Sequence, residues 1–133
     1  MAVKNWDADE VGLFEINLDT GERYWSSELK QILGIPRETP PEFHLLLQRV
    51  HPADRRAFCA IAMEPFRPYC PAHKTSEFRI IAADGGVHWV HFERVTIFRE
   101  NTKHDVVRII GFVVEISEPT DRQRAWQRID VAA

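Results

Sequence analysis

An α+β domain, a five-stranded antiparallel sheet with a block of short helices on one face and a C-terminal helix, is predicted from three features of this 133-residue chain. Near-alternating apolar residues open the sequence, a proline-punctuated middle repeats apolar residues every three or four positions, and after residue 75 the period falls to two. The helices are thereby gathered into one long connection between an opening hairpin and three consecutive strands.

Within residues 11–18, Val11, Leu13, Phe14, Ile16 and Leu18 lie near alternation, and Asp19-Thr20-Gly21 supply turn chemistry before Arg23, Tyr24 and Trp25, so a hairpin is expected. Ser26 or Ser27 can cap a following helix, with Leu29 and Ile32 on one face and Gly34 ending it before Pro36. After Pro40 and Pro41, a stripe of Phe43, Leu46, Leu47 and Val50 predicts a second helix, broken at His51 because Pro52 disfavours a helical residue before it. Pro52 can start a third helix that carries Phe58, Ile61 and Ala62 until Pro65 and Pro68 stop it. From Thr75 onward Phe78 and Ile80 point one way and Glu77 and Arg79 the other. Asp84-Gly85-Gly86 then turns the chain into a strand over residues 87–98, and the polar loop 100–105 leads to the last strand over 106–116.

Composition narrows the function classes. A formal charge of −3 argues against a nucleic-acid surface, which needs many uncompensated cations. Cys59 and Cys70 form no CxxC spacing, so neither zinc nor a disulfide framework is indicated. Residues 1–10 hold no apolar signal core, and no apolar run approaches the roughly 18 residues of a membrane span, so a cytoplasmic protein without a membrane partner is expected. Ser, Cys, His and carboxylates all occur, but no nucleophile elbow or other catalytic spacing joins them, and no enzyme is expected. His88 and His91, three apart on a strand, should point to opposite faces and cannot chelate one metal.

Several short motifs resemble the PAS domain family, in particular the bacterial sensor modules that close with a Trp-containing hairpin and a strand ending in Asp-Ile-Thr. They are Gly12-Leu13-Phe14-Glu15, Asp19-Thr20-Gly21, Tyr24-Trp25-Ser26, Ile32-Leu33-Gly34-Ile35-Pro36 and Arg49-Val50-His51-Pro52-Ala53-Asp54-Arg55. Glu77-Phe78-Arg79-Ile80, Asp84-Gly85-Gly86-Val87-His88-Trp89-Val90 and Gly111-Phe112-Val113-Val114-Glu115-Ile116-Ser117 complete the set, which spans residues 11–123. The resemblance implies a short N-terminal cap over 1–10, the domain proper over 11–117 and a connector helix over 118–133. The usual closing Asp-Ile-Thr stands here as Glu115-Ile116-Ser117. In related sensors this carboxylate and hydroxyl tie the last strand to the helix that carries the signal outward, so Glu115 and Ser117 are expected as signal-relay residues, with Ser117 capping the connector; a solvated strand-end charge is the other reading of Glu115.

Related domains hold haem, flavin or small metabolites between sheet and helices. The segment Phe43-His44-Leu45-Leu46-Leu47-Gln48 lacks the cysteine that a covalent flavin adduct needs, which excludes that adduct there. Haem would need a cavity-facing histidine, and His44 is the only axial candidate, since the helix after His51 offers Cys59 but no histidine. His51 fits the family's His-Pro-x-Asp corner, where a bond to nearby backbone or to Asp54 explains it, and Cys59 reads as a small buried apolar residue. Faces assigned from the family's sheet put Phe78, Ile80, Val90, Phe92, Ile109, Gly111 and Val113 toward the helices, with Trp25, Leu29, Leu46 and Phe58 closing the space. Large side chains can fill it and leave an ordinary core; otherwise it takes a small apolar ligand, and any cofactor is unknown.

The opposite sheet face carries Trp89, His91, Ile110, Phe112, Val114 and Ile116, with too little polar alternation for a free surface. A homodimer packing on this face is expected, the alternative being a C-terminal helix folded over it with Ala125, Trp126 and Ile129. Residues 120–131 resemble the connector that leads into kinase, cyclase or phosphodiesterase domains, yet the sequence ends at Ala133. If that is the whole protein, its output passes through association. The expected role is therefore a sensory module acting by protein–protein interaction, with a stand-alone adaptor docking onto histidine kinases of two-component systems or other PAS proteins as the alternative.

Overall fold

Asn17 makes the first turn. Its carboxamide oxygen accepts from the backbone N–H groups of Asp19 at 3.0 Å and Thr20 at 3.1 Å, an Asx-type closure that joins β1 (Gly12–Asn17) to β2 (Arg23–Trp25). The computed structural model describes residues 11–68 and 70–116, so the N-terminal cap, Ser117 and the connector lie outside the described residues.

Helix α1 (Ser27–Leu33) starts at Ser26, whose Oγ accepts from Leu29 N–H at 3.1 Å and from Leu13 N–H at 2.9 Å. One hydroxyl thus caps the helix and fastens it to β1. The helix ends at Gly34, whose φ of 69° is left-handed and costs a residue without a Cβ nothing. Its core side is Leu29 and Leu33, both buried, whereas Ile32 is half-buried: the core is met along an i, i+4 stripe and not the expected i, i+3 pair. Helix α2 (Phe43–Arg49) buries no side chain fully; Leu45, Leu46 and Leu47 are half-buried, and Val50 just beyond it is sealed.

The corner at Pro52–Asp54 is a single 3-10 turn that precedes α3 (Arg55–Met63), and a second such turn, Glu64–Phe66, follows where Pro65 stops the helix. His51 Nδ1 accepts from Ala53 N–H at 3.1 Å. The corner is fixed to β3 (His73–Ile81): His51 N–H donates to Arg79 O at 2.8 Å, and Asp54 accepts from the Arg79 backbone N–H, Nε and Nη2 at 2.8, 3.0 and 2.7 Å. Strand β3, beginning two residues before the expected Thr75, is an edge strand that this corner covers.

Strands β4 (Val87–Phe98) and β5 (Val106–Ile116) complete an antiparallel five-stranded sheet of order β2-β1-β5-β4-β3. The central strand β5 bridges the opening hairpin and the closing pair, with Phe14 opposite Gly111 and Phe92 opposite Val113. Sheet and helices enclose a core in two parts. Leu33, Ile35, Val50, Ile80 and Val90 pack one part solid, with Val50 and Val90 at 0% exposure. Among the described residues no helix is long and apolar enough to cross a membrane.

Candidate functional site

The second part of the core is open. A cavity of about 310 Å³ lies between the sheet and the helices, at the small end of the range of ligand pockets. Period-two register brings Phe78, Phe92, Ile109 and Val113 to it from the sheet, while β2 supplies Trp25, α2 supplies Leu46 and α3 supplies Phe58. Large side chains therefore do not fill the interior. An aromatic chain crosses the cavity from α2 to β1: Phe43 on Phe58 at 6.0 Å, Phe58 against Phe78 at 5.0 Å, Phe78 beside Phe92 at 6.3 Å, and Phe92 stacked on Phe14 at 5.5 Å. These rings brace one another across five elements, α2, α3, β3, β4 and β1.

Three expected lining residues do not form its wall. Ile80 and Val90 belong to the solid part of the core, where Val50 bridges to Ile80. Gly111 lies under the Phe14 ring: a Cβ built on it would fall 2.5 Å from Phe14 Cζ and 2.1 Å from the Glu93 carbonyl oxygen. Glycine here lets the ring lie flat on β5 and reach Phe92.

The wall also contains residues not expected there from the sequence. Phe43, Met63 and Phe66 line it while remaining exposed, so the cavity reaches solvent between α2 and the end of α3. Among the described residues Arg23 and Arg94 are its only charged side chains. Arg94 continues the inward series Val90, Phe92 by two residues, so strand parity alone marks it. It is 3% exposed, donates through Nη1 to Ile61 O at 2.5 Å and through Nη2 to Glu64 Oε1 at 2.7 Å, and its Nε has no hydrogen-bond partner. Burial pulls the guanidinium below its ordinary pKa, against the opposing pull of Glu64 and, after it, of Cys70.

Among the described residues neither histidine nor cysteine lines the cavity. His44 turns outward to Glu42 at 3.2 Å, and Cys59 is only half-buried on α3. The other thiol, Cys70, is the buried one and donates to Pro71 O at 3.2 Å. This donor set fits neither an axially ligated haem nor a cysteinyl flavin. His88 and His91 lie on opposite faces, the first bonding Glu115 at 2.9 Å and the second held between Glu77 at 3.2 Å and Glu93 at 3.0 Å. The His91 bond is the chief cause holding the Glu93 carboxyl below its ordinary range. Among the described residues no group of three or more His, Cys, Asp or Glu is placed to hold a metal ion.

On the outer sheet face Val114 and Ile116 are already buried, whereas Trp89, Ile110 and Phe112 are half-buried and Leu13 and Val95 exposed. Neighbouring strands add charge to this face: Arg79 stacks 5.3 Å over the Trp89 ring, and Arg108 bonds Glu15. Glu115 reaches His88 across the end of the sheet; Ser117, its expected companion, lies outside the described residues.

The model of the PAS fold family matches residues 22–113. No curated protein matches the chain. Similar solved structures include a sensory box histidine kinase/response regulator from Burkholderia thailandensis, 24% identical with a TM-score of 0.60, covering 93% of this chain and 88% of that one. An RNA-binding light-oxygen-voltage receptor is 14% identical with a TM-score of 0.65, over 92% of this chain and 35% of the other. The N-terminal domain of a diguanylate cyclase with PAS/PAC sensor from Marinobacter aquaeolei is 20% identical with a TM-score of 0.62, over 79% and 94%.

Proposed function

The chain belongs to the PAS fold family, and from that premise we propose that it is a cytoplasmic sensory module which binds a small, largely apolar molecule and signals through protein–protein contacts without catalysing a reaction. The observation that carries the reading is the cavity of about 310 Å³ beside a solid core. A fold that only needed stability would gain by filling it, because empty apolar space forfeits dispersion contacts. Output is assigned to the outer face, where Trp89, Ile110 and Phe112 offer apolar surface to a second copy or to a histidine kinase or other PAS protein. Those same residues favour the second reading, an adaptor that needs no ligand.

Native mass spectrometry of the purified protein, with an absorbance scan, separates the two. The sensor reading expects a retained small-molecule mass, and a dimer that Phe112→Glu converts to monomer. A protein at its bare mass before and after exposure to cell extract, with association intact, would leave the adaptor reading standing and overturn the sensor.

A further inference from the structure

The polarity of the cavity is one-sided. Among the described residues its wall is aromatic and aliphatic except for two cationic side chains, with no anionic one. Arg23 stands exposed on the edge strand β2, whereas Arg94 is buried. Glu64 is the carboxylate within reach of Arg94, and it is shared: Lys74 Nζ lies 3.7 Å from its other oxygen. Two cations thus divide one half-buried carboxylate, and the Nε–H of the buried Arg94 is left over. A buried guanidinium normally has its donors matched and its charge balanced.

We propose that the cavity receives a small molecule with an apolar body and one carboxylate, and that Arg94 is the residue that recognises the carboxylate. The inference rests on the reading of the cavity as a ligand site. A carboxylate supplies both missing quantities, a negative charge and acceptor oxygens, and pairs with a guanidinium better than a hydroxyl does. Inorganic anions have no reason to leave water for aromatic walls, and an amine would meet two cations. Size sets the body: about 310 Å³ equals the liquid volume of roughly ten waters, so a molecule of roughly ten non-hydrogen atoms fits, such as a medium-chain fatty acid or an arylpropionic acid.

Isothermal titration of the full chain at neutral pH with octanoate, octan-1-ol and octylamine tests this. Octanoate should bind at least tenfold more tightly than octanol, and octylamine more weakly than either. In Arg94→Met the octanoate advantage should disappear while octanol still binds, the latter showing that the variant's cavity is folded. Equal binding of octanoate and octanol to the unaltered chain would overturn the carboxylate inference and leave the ligand site standing; this comparison needs no variant. An octanoate preference that survives in Arg94→Met would overturn the assignment of Arg94. Binding of none of the three would overturn the inference together with the ligand reading beneath it.

Discussion

Asp54 shows how one side chain can hold two elements together. Burial alone would raise its pKa, but the bonds from the Arg79 side chain and backbone N–H outweigh that and hold the carboxyl below its ordinary 3.8. Because the folded value is depressed, the stabilisation is fully present above the unfolded value and is lost as pH falls through the folded one. Asp54→Asn should therefore cost about 1–3 kcal/mol near neutrality, and the cost should shrink below pH ~4. Urea unfolding of both proteins across pH 2–7 measures it; a difference independent of pH would contradict this account. The aspartate was legible as part of a His-Pro-x-Asp corner, but its partner was not, because Arg79 is 25 residues away and only the folded register brings them together. Arg94 was not singled out, although parity with Val90 and Phe92 marks it as inward, and its incomplete pairing depends on where the end of α3 places Ile61 O and Glu64.

At the level of elements, helix α1 depends on a shared hydroxyl. Ser26 is buried, so the N–H groups of Leu29 and Leu13 lose their acceptor without water to replace it if the hydroxyl is removed. Ser26→Ala should cost about 1–2 kcal/mol, at the upper end for a helix cap, read as a lower urea midpoint at unchanged slope. A loss no greater than that of Ser27→Ala would show that the strap to β1 contributes nothing. The order of strands and helices was readable because period and punctuation agree: proline and glycine bound each segment, and the switch from helical spacing to alternation after the helical block is abrupt. What escaped was the choice between neighbours. Ser26 and Ser27 both have capping chemistry, and Ile32 and Leu33 both lie near the inward stripe; contact with β1 and the core decides each.

Over the whole molecule, the same inward residues have two fates. The resemblance to the family's sheet assigns Ile80, Val90, Phe78, Phe92, Ile109 and Val113 to one face, but neither it nor the pattern carries information about how far the helices stand from the sheet. That distance varies: Val50 bridges to Ile80, and Leu33 and Val90 are sealed in the same cluster, while α2 keeps its leucines only half-buried. The outer face resisted reading for a related reason, since its apolar residues on β5 gain charged neighbours from the flanking strands only once the register is known. The central claim is that the interior is divided into a solid core and a ligand cavity. Methyl-resolved NMR during titration with octan-1-ol, which needs no charge recognition, tests it most directly. Saturable shifts at Ile109, Val113, Ile61 and Leu46, with Leu33, Val50, Ile80 and Val90 unmoved, are the predicted result. Shifts spread evenly through both groups, or none at concentrations up to the alcohol's solubility, would contradict it.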